Sequence, residues 1–331
     1  MRLAVFTLGG LLAFQVGAAV TLPQNPLLLQ RADPFIYRDA QSGCYHFTAT
    51  VPDFSELEIR SSCSLAGLKT AKAVRVWQKK ASGPMSANIW APELHRINNS
   101  WYLYFAASRI DAPFHIRMYV LSNKSADPTQ GSWQEEGELS THLDTFALDA
   151  TTFEHRGQRY LLWAQQDLAQ TYNSALWIAA MDGPTKIKGT PVKLSEPTLP
   201  WETQGYKVNE GPAVLVKHGR VLVTYSASAT DHRYAMGLLW ADANTDLLNP
   251  ASWQKRAEPV FASDAALKRF GPGHNSFVLA EDGKTDLMVY HSRDYRDLQG
   301  TPLTDPNRHT RLRVLPFDAE GFPMFAPEQA D

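Results

Sequence analysis

Hydrophobic positions along the chain come in short bursts, not in helical stripes. Runs such as Trp101-Tyr102-Leu103-Tyr104-Phe105, Tyr160-Leu161-Leu162-Trp163 and Val221-Leu222-Val223-Thr224-Tyr225 are rich in aromatic and β-branched residues. Each is bounded by Gly, Asn, Asp or Pro, the punctuation expected between strands. The one modest helical pattern spans Ser64–Ala73. The chain therefore reads as all-β.

The bursts also recur. Each unit has a small or polar opening, a hydrophobic strand, a tight polar turn and a second, strongly apolar strand. The units open at Asp33-Pro34, Trp90-Ala91-Pro92, Asp149-Ala150, Glu210-Gly211 and His274-Asn275. Their turns are Ser42-Gly43, Asn98-Asn99, Arg156-Gly157, His218-Gly219 and Asp282-Gly283. Counted on Pro34, Pro92, Ala150, Gly211 and Asn275, the steps are 58, 58, 61 and 64 residues. A near-constant period with room for four strands predicts propeller blades. Five such units account for residues 20–331, so a single five-bladed β-propeller is preferred to two domains. The stretch from Arg311 to Phe325 reads as a final hairpin that could complete a blade with an N-terminal strand.

Residues 1–19 stand apart. Arg2, an apolar run from Leu3 to about Val16 and then Gly17-Ala18-Ala19 have the layout of a secretory signal peptide. That run is shorter than the roughly 20 apolar residues a spanning helix needs. A secreted or extracellular protein is expected, or a periplasmic one in a Gram-negative source. Export makes a Cys44–Cys63 disulfide the expectation, with two buried free thiols as the alternative. Asn98-Asn99-Ser100 and Asn123-Lys124-Ser125 match the glycosylation acceptor pattern.

Composition narrows the chemistry. The 331 residues carry 32 Lys+Arg against 34 Asp+Glu, a formal net charge of -2. Balanced charge argues against a nucleic-acid binder or a polybasic membrane-surface protein. Aromatic residues make up 11% of the chain, which suits stacking on sugar rings but equally the packing of a β core. Because the inner strand of every propeller blade starts at one rim, Asp33, Asp149, Glu210 and His274 are predicted to converge there. Three carboxylates crowded together raise one another's pKa, an arrangement expected where protons are moved. Glu93 lies deeper in its unit and ranks lower; Asp144 and Asp167 only flank the third opening. The chain has no Gly-x-Ser-x-Gly, Walker A or His-Glu-x-x-His pattern. What remains is paired-carboxylate chemistry, the demand of glycoside hydrolysis.

At these residues the sequence resembles glycoside hydrolase family 43. The matching strings are Ala32-Asp33-Pro34-Phe35-Ile36, Ile89-Trp90-Ala91-Pro92-Glu93, Leu148-Asp149-Ala150 with Phe153, and Asn209-Glu210-Gly211-Pro212. Gly271-Pro272-Gly273-His274-Asn275-Ser276 and Tyr290-His291-Ser292-Arg293 extend it. The resemblance implies a five-bladed inverting enzyme with Asp33 as general base, Glu210 as general acid and Asp149 orienting the acid and tuning its pKa. It implies Trp90, Phe35 and Arg293 as substrate-binding residues. It also implies that no cofactor is required, although a structural calcium ion near His274 is a possible extra. The segments 290–295 and 305–311 look most like the α-L-arabinofuranosidase branch, with Ser292 where Ala is the rule. Arabinan or arabino-oligosaccharides are the implied substrates. A β-xylosidase or endo-1,5-α-L-arabinanase of the same fold stands as the alternative, and a non-catalytic sugar-binding propeller as a more distant one. A monomer is expected.

Overall fold

The computed structural model describes residues 20–325, so the expected leader lies outside the described residues. Among the described residues, nineteen strands form five antiparallel sheets in strict chain order. Blade 1 holds β1 (Ala32–Arg38), β2 (Tyr45–Thr50), β3 (Glu56–Ser62) and β4 (Val74–Gln78). Blade 2 holds β5 (Ala87–Ile97), β6 (Ser100–Arg109), β7 (Ala112–Asn123) and β8 (Gln134–Glu138). Blade 3 holds β9 (Ala147–His155), β10 (Gln158–Gln165), β11 (Ala175–Met181) and β12 (Ile187–Ser195). Blade 4 holds β13 (Asn209–Lys217), β14 (Arg220–Ala227), β15 (Ala235–Asp242) and β16 (Gln254–Lys255). Blade 5 holds β17 (Phe270–Leu279), β18 (Asp286–Arg293) and β19 (His309–Val314).

The ring closes because β1 packs against both β5 and β17, β5 against β9, β9 against β13, and β13 against β17. The five-bladed β-propeller anticipated from the repeat is the observed fold. Blade 5 has three strands, and the N-terminal segment stands beside its outer edge, where Leu28 bridges Thr310. Among the described residues the tail pairs through a bridge between Phe317 and Pro323, flanked by the Met324 N–H donating to Pro316 and the Asp318 N–H to Phe322, so the expected final hairpin is a short one beyond β19. The helical stretch shrinks to Leu65–Leu68, capped by Ser64, whose hydroxyl accepts from the Gly67 N–H.

Apolar faces of neighbouring blades meet in five clusters. One, between blades 3 and 4, gathers Leu162, Leu176, Val221, Val223 and Leu239. Another, between blades 5 and 1, gathers Ile36, Phe47, Leu287, Val289 and Leu312. Blades 2, 3 and 4 turn from first to second strand through two residues with positive φ: Asn98-Asn99, Arg156-Gly157 and His218-Gly219. Such turns match the right-handed twist of the strands they join and fix their register. Asn98 is exposed, whereas Asn123 is buried with its Nδ2 donating to the Gln130 carbonyl. Cys44 and Cys63 form a disulfide joining the ends of β2 and β3.

Candidate active site

Every inner strand carries the same irregularity. In blade 1, Ala32 pairs with Thr50 and Phe35 with Thr48, so two residues, Asp33 and Pro34, oppose one. The same two-against-one bulge follows Trp90, Leu148, Glu210 and Gly273. Its first residue is left-handed each time: Asp33 at φ 53, Ala91 at 46, Asp149 at 60, Gly211 at 53 and His274 at 45. A bulge of this type bends the strand and re-aims a side chain. Four of these residues are not glycine, and each costs of order 1–3 kcal/mol in such a conformation. Strain of that kind persists only where surrounding structure enforces it.

Blade-to-blade hydrogen bonds supply the enforcement. The Asp33 N–H donates to His291 Nδ1 at 3.0 Å, and the Ala91 N–H to Thr50 Oγ1 at 2.8 Å. The His274 N–H donates to Ser226 Oγ at 2.8 Å. Thr50, Ser226 and His291 occupy the same place in their blades, opposite Ala32, Glu210 and Gly273. Blades 2 and 3 have alanine there, Ala106 and Ala164. The Gly211 N–H, lacking a hydroxyl partner from blade 3, donates instead to Asp149 Oδ2 at 2.9 Å.

The bulge also corrects the sequence alignment of the units. Asp33, Asp149 and His274 are equivalent, but Glu210 sits one residue earlier, level with Trp90. All five converge on one cavity of about 610 Å³, as predicted for a shared rim. Arg308, which the sequence reading left unassigned, also lines it. Two expected residues do not. Phe35, past the bulge, turns into the blade 1–2 core, its ring 5.0 Å from that of His95. Arg293 is buried behind the wall, donating to the Thr230 carbonyl at 2.9 Å and standing 3.5 Å from Asp305. It props two segments that reach the cavity, one through Thr230 and one through Thr301, Pro302 and Leu303. Glu93, ranked lower, pairs with His95 at 2.9 Å and does not line the cavity.

Electrostatics divide the carboxyls. Burial pushes Asp33 up, but the Arg308 guanidinium, helped by the Thr50 hydroxyl, outweighs it and holds its carboxyl well below the usual range. Arg308 Nη1 lies 3.0 Å from Asp33 Oδ1, and Thr50 Oγ1 donates to Oδ2 at 2.6 Å. Burial pushes Glu210 up to about 7, with the Asp33 charge adding to it and the Tyr234 hydroxyl and Arg308 opposing. Burial and the neighbouring Glu210 and Asp33 likewise raise Asp149 well above its ordinary value. Glu210 and Asp149 are thus both held toward their protonated forms near neutrality. The Gly211 amide can only donate, which favours charge on Asp149; the Tyr234 hydroxyl, donating to Glu210, favours its charged form in the same way. His291 is neutral, since its Nδ1 accepts the Asp33 N–H, and burial followed by Arg308 holds its pKa well below the usual range.

A calcium shell at His274 does not fit. Calcium takes six to eight oxygen ligands, and His274 offers an imidazole, its Nδ1 3.4 Å from Asp33 and 4.0 Å from Asp149. Among the described residues no three His, Cys, Asp or Glu side chains are grouped to hold a metal ion.

The family model for glycosyl hydrolases family 43 matches residues 23–323. The chain belongs to this family. Within family 43 it is 52% identical over 307 residues to a Streptomyces avermitilis protein named "Extracellular exo-alpha-(1->5)-L-arabinofuranosidase". That match covers 93% of this chain and 64% of the relative, so the chain spans just under two thirds of that protein's length. It is 48% identical to "Alpha-L-arabinofuranosidase 43" of Humicola insolens, over 98% of this chain and 68% of the relative. The crystal structure of an α-L-arabinofuranosidase from Lactobacillus brevis superposes with a TM-score of 0.90 at 48% identity, over 93% of this chain and 98% of that one.

Proposed function

We propose that this family 43 propeller is a secreted, inverting exo-α-L-arabinofuranosidase that releases L-arabinofuranose from α-1,5-linked arabinan or arabino-oligosaccharides. One observation carries the reading: a single cavity holds a carboxylate kept charged, Asp33, and a carboxyl kept protonated to near neutrality, Glu210. Inverting glycosidases need that division of labour on opposite sides of the scissile bond. The names of the relatives supply the sugar and the extracellular location.

In this reading Asp33 takes a proton from water as its oxygen attacks the anomeric carbon. The bond to the leaving oxygen breaks, and Glu210 delivers its proton there. The sugar departs with inverted configuration, leaving Asp33 protonated and Glu210 charged until solvent resets both. Asp149, held by the Gly211 amide, keeps Glu210 from ionising early. Trp90 forms a wall for the furanose. Arg308 keeps Asp33 charged.

Product analysis on debranched linear arabinan tests the assignment, with proton NMR of the first-formed anomer. Arabinose alone, first seen as the β-anomer, is expected. A ladder of oligomers, or faster cleavage of xylosides, would replace the exo-arabinofuranosidase reading with one of the alternatives.

A further inference from the structure

We propose that Tyr234 is a positioning residue for the general acid, its hydroxyl fixing the Glu210 carboxyl toward the leaving oxygen. The inference rests on the role proposed above for Glu210. Tyr234 lies just before β15, fully buried, and its hydroxyl donates to Glu210 Oε1 at 2.7 Å. No other side chain hydrogen-bonds that carboxyl among the described residues.

The ring around that hydroxyl is held on three sides. It stacks on His291 with centroids 5.9 Å apart and planes 5° from parallel. His291 in turn receives the Asp33 N–H and stands 3.4 Å from its carboxylate, so one stacked pair reaches both residues of the proposed acid–base couple. On another side lies Gly273, where a Cβ would stand 2.5 Å from the Tyr234 ring. On the third, a Cβ at Gly271 would sit 2.2 Å from the Asp231 carbonyl, in the turn that closes with the Tyr234 N–H donating to Asp231. Gly273 therefore leaves room for the tyrosine ring, and Gly271 for the turn that carries it. A tyrosine so confined has one orientation for its hydroxyl oxygen and hence fixes one oxygen of Glu210.

The test compares wild type and Tyr234→Phe on a linear α-1,5-arabino-oligosaccharide and on 4-nitrophenyl α-L-arabinofuranoside. A sugar leaving group needs the acid's proton; nitrophenolate scarcely does. We expect kcat/KM on the oligosaccharide to fall about 10- to 100-fold and on the aryl glycoside by less than about 3-fold. Because the phenol donates to the carboxylate, its removal also moves the basic limb of the pH profile upward. Replacing Tyr234 with 3-fluorotyrosine keeps the ring, strengthens the donor and moves that limb down. Equal losses on both substrates, or an unmoved basic limb, would overturn the proposal. If wild type cleaves neither substrate, the functional reading fails separately. Titration of the Glu210 carboxyl by 13C NMR in both proteins then still decides the inference: an unchanged midpoint overturns it.

Discussion

Arg308 reaches Asp33 across the cavity wall, its Nη1 3.0 Å from Oδ1. It arrives from the segment between β18 and β19, which Asp305 ties down by accepting from the Tyr295 hydroxyl at 2.7 Å and the amides of Gln299 and Asn307. A cation delivered this way keeps a buried carboxylate ionised.

Arg308→Ala is expected to raise the proton affinity of Asp33, since burial then acts with less opposition. The charged form of Asp33 is the active one, so the acidic limb of kcat/KM moves to higher pH. Activity falls more at pH 4–5 than at neutrality, by roughly 10-fold or more. A pH profile whose acidic limb stays in place would remove Arg308 from this role.

Stability should depend on pH in a direction set by the same groups. Glu210 and Asp149 have raised proton affinities in the folded chain, so their contribution is full below the unfolded carboxyl range and is lost as pH rises, for Glu210 through about 7. For Glu210 alone the loss is on the order of 3 kcal/mol between pH 5 and 8. Asp33, depressed, acts oppositely and loses its contribution only in strong acid. Thermal melts of wild type should therefore fall from pH 5 to 8, and Glu210→Gln should flatten that slope. Parallel slopes would contradict the assignment.

Gly273→Ala places a Cβ 2.5 Å from the Tyr234 ring and 2.8 Å from Ser226 Oγ. Neither can yield without disturbing Glu210 or the His274 latch. A destabilisation of about 1–3 kcal/mol is expected, with loss of most activity. Chemical denaturation alongside arabinose release measures both.

The Cys44–Cys63 bridge closes a loop with a sequence separation of 19 at the end of β2 far from Thr50 and the cavity. Cys44→Ser with Cys63→Ser should lower stability by up to about 3 kcal/mol. The Michaelis constant should stay within about 2-fold of wild type, since no residue of the bridge lines the cavity. A large change in substrate affinity would place blade 1's outer strands in the site.

The five blades were legible because burial on both faces of a blade demands apolar strands, and tight turns demand residues such as Asn99, Gly157 and Gly219. The convergence of Asp33, Asp149, Glu210 and His274 followed from the repeat. The one-residue offset of Glu210 did not, because a bulge depends on which backbone groups find partners across the blade boundary. Phe35 and Arg293 were misplaced for related reasons: past the bulge, strand alternation sends Phe35 into a core, and Arg293 meets carbonyl and carboxylate partners behind the wall. Arg308 belonged to a string already matched to the family, yet nothing in its local pattern says that its loop folds back over Asp33. Tyr234 carries no motif of its own; only the two neighbouring glycines hint that something bulky sits against them.

The repeated left-handed bulge separates what the scaffold requires from what the chemistry requires. At four of those five places the backbone N–H is held by a side chain of the preceding blade, and the occupants of the five are Asp, Ala, Asp, Gly and His. Gly211 has no room to grow, because a Cβ there would press on the His274 ring at 3.0 Å. Ala91 already faces the cavity with a small side chain. It is the position where a new functional group could be grafted into this pocket with the least reorganisation of the blades, which makes it the natural starting point for re-engineering the chain toward other substrates.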